Sequence, residues 1–374
     1  MTDGAAAGDP TAARADPAKR IGVLCAAGLG HVVRAVETAK ALGRLIDASF
    51  TFMAPADHQT YLERLAGDRS AVIRFALGKG KRYRRMAWAL DTILGENDFD
   101  AFIIDLWGVM HDGLKAYPAA VEALRQLRAA GKKSVVLSNA PRRAAVIAKR
   151  NAEMGLPEDL PDHLLSSGED AWQHLKTRPD AWYQALGTRC YHLGPERDHG
   201  MREGLDGIEF VDSLAEADFI LNTGILNDHD VVETYRAFLD AGLERKLPMI
   251  CANPDLIVMR GEDMEICAGA LALDYEQKGG KVRWHGKPHP EVYRSCFALL
   301  DGIDPARIAA IGDSLRTDVA GAEASGISSI FIAGGIHGEE LGVDKEGLID
   351  PEAYAAFIAA AEWKPTAVLP FMRW

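Results

Sequence analysis

Ala101-Phe102-Ile103-Ile104-Asp105-Leu106-Trp107-Gly108-Val109 contains an apolar run that ends in a carboxylate and is followed by a glycine. A short apolar run bounded in this way is typical of a strand that is buried on both faces of a parallel sheet. In open α/β sheets, ligands bind at the carboxyl ends of the strands. We therefore predict that Asp105 lies at the ligand-binding edge of such a sheet.

Three other polar side chains are predicted to follow strands in the same way. Ser138 ends the run Val135-Val136-Leu137, and Lys287 lies in Gly286-Lys287-Pro288. Asp313 follows another apolar run and precedes Asp318 in the same segment. Because the carboxyl ends of parallel strands meet at one edge of a sheet, we expect these side chains to converge on Asp105.

An acid, a hydroxyl, an amine and a pair of acids are the groups that an aspartyl-phosphate mechanism requires. The Asp105 carboxylate can attack phosphorus and form an acyl-phosphate that water later opens. Lys287 would neutralise the phosphoryl group and keep Asp105 ionised. Asp105, Asp313 and, through water, Asp318 offer hard oxygen ligands that suit Mg²⁺.

Ser138 and the backbone N–H groups of Asn139 and Ala140 are predicted to bind the phosphoryl group. We expect them to open a helix, and a helix N-terminus beside a hydroxyl is an anion site. Each polar residue also has an ordinary structural interpretation, since an Asp or a Ser-Asn before a helix is often a cap and Gly-Lys-Pro is often a surface turn. The ordered set, and not any single residue, favours the catalytic interpretation.

Composition limits the class of protein and its partners. The 374 residues predict two or three domains, and the hydrophobic share of 48% allows large cores. A net charge of −12 without a long basic run argues against nucleic acid and anionic membranes as partners. No apolar stretch reaches the roughly 18 residues of a membrane span. The five scattered cysteines indicate buried thiols in a reducing cytoplasm, and not a disulfide frame or a zinc site.

Apolar runs alternate with helical patterns along most of the chain, which predicts an α/β fold with parallel sheets. We expect a disordered tail at 1–20, an N-terminal α/β unit at 21–97, a core at 98–150 and 286–374, and an α/β cap at 151–285. An inserted cap explains why the residues with phosphate chemistry occur only in the flanking segments.

From about Asp98 onwards, the chain resembles the haloacid dehalogenase superfamily in its class IIA branch, which includes pyridoxal and p-nitrophenyl phosphatases. The resemblance covers about three quarters of the chain. Four motifs carry it: Asp105 to Gly113 (DLWGVMHDG), Leu137-Ser138-Asn139, Gly286-Lys287-Pro288, and Gly312 to Asp318 (GDSLRTD) with Gly321-Ala322 and Gly326. It implies a Rossmann-like core, a cap inserted between the second and third motifs, and Mg²⁺-dependent phosphoester hydrolysis.

The resemblance also implies roles for individual residues. Asp105 is then the nucleophile, and Asp105, the backbone carbonyl of Trp107 and Asp313 are the Mg²⁺ ligands. Cys251-Ala252-Asn253-Pro254-Asp255 resembles a cap motif of this branch, so Asn253 and Asp255 are expected to face a small phosphorylated substrate. Because caps of this kind often dimerise, a homodimer formed through the cap is a further expectation.

Trp107 departs from the family pattern. Most of the phosphatases carry a second Asp there, which protonates the leaving oxygen and then activates water, and an indole can do neither. Loss of a general acid–base typically removes about 10²–10⁴ in rate. His111 or Asp112 would have to substitute, or both are loop residues. Some closely resembling members share the Trp, which would then mark a subgroup whose leaving groups need no protonation.

Ala27-Gly28-Leu29-Gly30-His31 follows a predicted strand and opens a predicted helix, which is the context of a phosphate- or sugar-binding turn. It resembles the first loop of nucleotide-sugar-dependent glycosyltransferases, although only half of such a domain is present. A turn that serves packing alone is the alternative. Further strands are predicted at 48–53 and 71–76, and a basic helix at 81–94.

Three functions therefore stay open on the sequence alone. The first is a cytoplasmic Mg²⁺-dependent phosphatase that acts on a small phosphorylated metabolite. The second is a phosphate-binding or regulatory protein that kept the fold and the metal but lost the acid–base group. The third is sugar or glycosyl-group binding by the N-terminal unit.

Overall fold

The computed structural model describes residues 20–24, 49–53, 72–75, 84–87, 93 and 99–374, apart from 261, 262 and 346. The tail expected before residue 20 and the turn expected at 28–31 lie outside these residues. Among the described helices, none combines the length and the apolar character that a membrane crossing requires.

Four short strands occur in the N-terminal unit: β1 (Arg20–Leu24), β2 (Ser49–Met53), β3 (Val72–Phe75) and β4 (Arg84–Ala87). β1 and β2 form a parallel pair, whereas β3 and β4 form an antiparallel pair that extends the edge of the core sheet. The helix predicted at 81–94 is therefore wrong at residues 84–87. Pairing with a sheet edge has overridden the local helical pattern there.

The core is an eight-stranded sheet in the order β3-β4-β17-β16-β15-β5-β6-β7. All its pairs are parallel except β3–β4. Its remaining strands are β5 (Ala101–Asp105), β6 (Lys133–Ser138), β7 (His163–Ser166), β15 (Ile308–Gly312), β16 (Ser328–Ile332) and β17 (Ala367–Leu369). The predicted α/β fold with a parallel sheet is confirmed.

β5 is buried on both faces, as its continuous apolar sequence predicted. Phe102 and Ile104 pack on one side in a cluster that includes Leu124. Ala101 and Ile103 face the opposite cluster. Successive side chains of a strand point to opposite faces, so an uninterrupted apolar run is required where helices cover both. Packing on both faces of the sheet therefore fixes the strand that carries Asp105.

A second sheet has the order β14-β11-β10-β8-β9, and all its pairs are parallel. Its strands are β8 (Arg189–Leu193), β9 (Glu209–Val211), β10 (Phe219–Asn222), β11 (Met249–Cys251) and β14 (Val282–Trp284). β12 (Ile257–Arg260) and β13 (Asp263–Ile266) form a separate antiparallel hairpin. This sheet lies within the range that we expected for the cap.

The expected start of the cap at residue 151 is too early. β7 pairs with β6 and belongs to the core sheet, although it lies inside the range 151–285. The chain adds this strand because the free edge of β6 offers backbone hydrogen bonds that a short apolar segment can satisfy. The division into domains is otherwise a proposal.

Nine α-helices occur in the described part of the chain. They are α1 (Pro118–Ala129), α2 (Ala144–Glu153), α3 (Ser167–Thr177), α4 (Ala181–Gln184), α5 (Arg236–Glu244), α6 (Ala268–Gln277), α7 (Pro290–Leu299), α8 (Ala320–Ala324) and α9 (Pro351–Ala360). 3₁₀ helices occur at Glu196–Arg202, Val232–Tyr235 and Pro305–Arg307, and a π turn occurs at Leu315–Val319. The π turn follows β15 and carries Asp318.

We expect Ile104→Ala to destabilise the protein by about 2–5 kcal/mol, because the substitution leaves a cavity between closely packed side chains. Ile104 is fully buried in β5. The measurement is chemical denaturation followed by far-ultraviolet circular dichroism. Val146→Ala is the control, since Val146 on α2 is half exposed and should change the free energy of unfolding by less than about 0.5 kcal/mol. Equal effects of the two substitutions would contradict the burial of β5.

Candidate active site

Three carboxylates meet at the carboxyl ends of two neighbouring core strands. The side-chain oxygens of Asp105, Asp313 and Asp318 lie within 4.8 Å of one another. β5 and β15 are adjacent and parallel, so Asp105 and Asp313 emerge side by side although they are far apart in sequence. The π turn then brings Asp318 back towards the same point.

The ammonium group of Lys287 joins two of these carboxylates. Its Nζ donates hydrogen bonds to Oδ1 of Asp105 and, at 2.7 Å, to Oδ1 of Asp318. Burial disfavours the charged amine, but the two carboxylates outweigh this effect and raise the pKa of Lys287 above its usual value. Lys287 therefore stays protonated, although its side chain is almost completely buried.

The three carboxylates exceed the charge that one lysine can balance. Burial, together with Asp318 and Asp313, raises the pKa of Asp105 well above its usual range, and Lys287 opposes this shift. Burial and the neighbouring Asp318 raise the pKa of Asp313 to about 7. Two negative charges would stay unbalanced if all three acids were ionised. A cluster of oxygen ligands with this excess of negative charge suits a hard divalent cation.

Two glycines give Asp313 its position. A Cβ atom on Gly108 would lie 1.9 Å from Oδ2 of Asp313, and one on Gly335 would lie 2.1 Å from the same atom. The backbone N–H of Ile336 donates to this oxygen at 2.9 Å. Any larger residue at either glycine would displace the carboxylate, so both loops must approach it through bare backbone.

Ser138 lies at the end of β6, next to the strand that carries Asp105. The backbone N–H of Ala140 donates to the Ser138 hydroxyl at 3.2 Å. The prediction that Asn139 and Ala140 open a helix is wrong, because α2 begins only at Ala144. A loop stabilised by side-chain contacts intervenes, so no helix N-terminus lies at these two residues.

Asn139 connects three segments of the site. Its Nδ2 donates to Oδ1 of Asp255 at 2.8 Å and to the carbonyl oxygen of Lys287 at 3.0 Å. Its Oδ1 accepts from the backbone N–H of Lys287 at 2.8 Å. Asn253 accepts from the backbone N–H of Asp255 at 3.0 Å and so shapes the turn. These contacts give Asn139, Asn253 and Asp255 a positioning role beside the roles that we expected from the sequence.

Trp107 and His111 form the wall of a tight loop after β5. The Trp107 side chain is 48% exposed, whereas His111 is buried. Their rings meet edge to face, with 5.7 Å between centroids. His111 Nδ1 accepts from the backbone N–H of Gly113, and Asp112 Oδ1 accepts from the N–H groups of Leu114 and Lys115. Both residues that we considered as replacements for a general acid are thus used to hold the loop.

A buried polar network next to Lys287 was not predicted. His285 Nδ1 lies 2.5 Å from Oδ2 of Asp170, and its Nε2 contacts the hydroxyl of Tyr183. Ser295 donates to the other Asp170 oxygen at 2.6 Å. The only signal in the sequence was the position of His285 directly before Gly286-Lys287-Pro288. The network fixes the chain where it leaves β14 and enters the loop that carries Lys287.

We expect His285→Ala to destabilise the protein by about 1.5–3 kcal/mol, the usual contribution of a hydrogen bond to a charged group. The substitution leaves the buried Asp170 carboxylate without one of its donors. Thermal and chemical unfolding measure the effect. His163→Ala is the control, since His163 is an exposed residue on β7. A variant as stable as the wild type would show that this network does not anchor the loop.

The raised pKa of Asp313 predicts a pH dependence in protein stripped of divalent ions by chelation. Between about pH 4 and pH 7 the folded state holds a proton there that the unfolded chain, with an Asp pKa of 3.8, has released. The free energy of unfolding contributed by this group therefore falls as the pH rises through that window. Urea titrations from pH 4.5 to 8 test this. The free energy of unfolding of Asp313→Asn should fall less steeply with pH than that of the wild type. Identical pH profiles for the two proteins would refute the prediction.

Comparisons with known proteins agree with this geometry. A family model described as haloacid dehalogenase-like hydrolase matches residues 102–210, and a second, HAD-hydrolase-like, matches residues 284–361. Chronophin from Homo sapiens is 27% identical over 66% of this chain and 85% of its own length. Ribonucleotide monophosphatase NagD from Escherichia coli K12 is 26% identical over 63% of this chain and 87% of its own length.

A solved structure gives the strongest support for the family. The crystal structure of a haloacid dehalogenase-like hydrolase from Brucella suis 1330 is 32% identical to this chain, with a TM-score of 0.63. The match covers 77% of this chain and all of that protein. This chain therefore belongs to the haloacid dehalogenase-like hydrolases, in their class IIA branch, as its four motifs predicted.

Proposed function

We propose that this protein is a Mg²⁺-dependent phosphatase that hydrolyses a small phosphorylated metabolite through an acyl-phosphate on Asp105. Membership of the hydrolase family supports the reaction class. The similarity to the ribonucleotide monophosphatase of Escherichia coli supports a small phosphorylated substrate. The Lys287 contact to both Asp105 and Asp318, with Asp313 beside them, is the observation that carries the proposal.

Asp105, Asp313 and Asp318 would hold the cation, together with the backbone carbonyl of Trp107. Mg²⁺ would neutralise the carboxylates and the phosphoryl oxygens of the substrate. The three acids supply only oxygen atoms, and burial together with mutual repulsion raises the pKa values of Asp105 and Asp313. The donor set therefore suits a hard cation, and not zinc or copper.

In the first step, an Asp105 carboxylate oxygen attacks phosphorus, and the bond between phosphorus and the leaving oxygen breaks. Lys287 lowers the charge that builds on the phosphoryl oxygens, and it opposes the upward shift in the pKa of Asp105, which favours the nucleophilic form. Ser138, on the neighbouring strand, offers a hydroxyl to the same group. Water then attacks phosphorus, the bond to Asp105 breaks, and inorganic phosphate and a proton are released.

A phosphate-binding or regulatory protein is the second candidate. The position two residues after Asp105 carries an indole, and both His111 and Asp112 hold the loop through hydrogen bonds. A protein of this kind would bind phosphate at Lys287 and Ser138 without turnover. Sugar binding by the N-terminal unit, a homodimer through the cap and a cytoplasmic location also stay proposals.

We expect p-nitrophenyl phosphate hydrolysis to require both Mg²⁺ and Asp105. Chelation should abolish turnover, and Asp105→Asn should lower kcat by about 10³-fold or more, because a carboxamide is a very poor nucleophile. Asp301→Asn is the matched control. Asp301 is exposed and has a positive φ of 50°, which Asn tolerates well.

Turnover that persists in Asp105→Asn would overturn the acyl-phosphate mechanism. Phosphate binding by calorimetry without turnover of any phosphate ester would favour the regulatory candidate. His31→Ala addresses the turn at 28–31 without removing β3 and β4 from the core sheet, because unchanged hydrolysis would show that this turn has no part in the reaction.

A further inference from the structure

The loop that follows Asp105 presents an exposed aromatic ring two residues after that carboxylate. Trp107 is followed by Gly108, whose backbone lies against the Asp313 carboxylate. Its side chain is 48% exposed, and Leu114 on the same loop is 86% exposed. A large apolar side chain with this exposure at the rim of a charged site is available for contact with a ligand.

The ring is held in place on its inner side. A Cβ atom on Gly113 would lie 2.4 Å from Cη2 of Trp107, so the six-membered ring lies against bare backbone. The indole and the buried His111 ring also meet edge to face. A ligand that stacks on the exposed side would therefore find a surface that loses little side-chain freedom on binding.

Backbone hydrogen bonds and buried side chains hold the loop that carries Trp107. The backbone N–H of Gly108 donates to the carbonyl oxygen of His111, and that of Tyr117 donates to the carbonyl oxygen of Met110. Val109 and Met110 are fully buried below the loop. These bonds and contacts fix the position of the indole relative to Asp105.

The same loop lacks a group suited to donate a proton. His111 is buried and accepts a hydrogen bond at Nδ1, so this nitrogen carries no proton to donate. Asp112 accepts two backbone hydrogen bonds that lower its pKa and keep it ionised. Burial raises the pKa of Tyr117, which makes its hydroxyl a weaker acid. A leaving oxygen near this loop must therefore depart without protonation from these groups.

We propose that this enzyme is selective for phosphate monoesters with a planar, weakly basic leaving group, such as aryl phosphates, and that Trp107 determines this selectivity. The inference rests on the proposed phosphatase function. When the Asp105 oxygen bonds to phosphorus, the electron pair of the broken P–O bond stays on the departing oxygen. An aryl oxide carries this charge by delocalisation, whereas an alkoxide requires a proton. The departing ring would stack on the exposed side of the indole.

The test compares kcat/KM for a series of substituted phenyl phosphates with that for glycerol phosphate, an alkyl ester. In the wild type, kcat/KM should fall steeply as the leaving group becomes more basic, with glycerol phosphate the slowest. Trp107→Asp restores a carboxyl group at this position. The ratio of aryl to alkyl kcat/KM should then fall by about 10²–10⁴, the usual contribution of a general acid.

Acetyl phosphate separates stacking from leaving-group chemistry, because acetate is weakly basic but has no ring. Trp107→Ala should raise KM for phenyl phosphates by about 3- to 10-fold, the range of one aromatic contact. Its KM for acetyl phosphate should change much less, and Trp107→Phe should recover most of the aryl KM. Melting temperatures of the variants establish that they are folded.

Asp105-dependent turnover with equal kcat/KM for aryl and alkyl esters would overturn this inference and leave the proposed function intact. An unchanged ratio of aryl to alkyl kcat/KM in Trp107→Asp would also overturn this inference and leave the proposed function intact. Equal increases in KM for phenyl and acetyl phosphates in Trp107→Ala would refute stacking. Absence of turnover with every phosphate ester would overturn the proposed function, and this inference with it.

Discussion

The Lys287 ammonium between Asp105 and Asp318 is the interaction on which the site depends. Three acids so close together repel one another, and burial removes the water that would screen them. Lys287 offsets one of these charges, and the excess that stays is what a divalent cation would neutralise. The fold therefore has to hold one amine close to carboxylates that come from two other segments.

The loop that carries Lys287 is fixed from both directions. Before it, His285 is tied to Asp170 and Tyr183 in the interior. Its own peptide groups are bound by the Asn139 side chain, which also reaches Asp255. Gly286 is required between these anchors, because a Cβ there would lie 2.2 Å from the Ser167 hydroxyl and 2.7 Å from Asn139 Oδ1. The polar contacts thus position the backbone of Lys287, and its ammonium group is free to contact the carboxylates of Asp105 and Asp318.

The loop after β5 is built differently from the rest of the site. Its polar side chains hold backbone groups, and its apolar Trp107 is exposed two residues after Asp105. The backbone of this segment still brings Gly108 against Asp313. The charged cluster and the exposed ring therefore occupy separate parts of the structure, and a substitution at position 107 can change the ring without removing Asp105, Asp313 or Lys287.

The sequence by itself determined the strand β5, the parallel α/β class, the family and the identity of the four polar segments, because apolar runs and motif spacing are local properties. The start of α2, the assignment of β7 to the core sheet and the strand at 84–87 depended on backbone pairing with distant residues, which a local pattern does not encode. The network of Asp170, His285 and Tyr183 was equally hidden, since its members are ordinary residues until the fold buries them together. Only the tertiary structure decided that Asp112 and His111 hold a loop and that Trp107 faces outward, because a side chain's role depends on which backbone groups lie within hydrogen-bond reach.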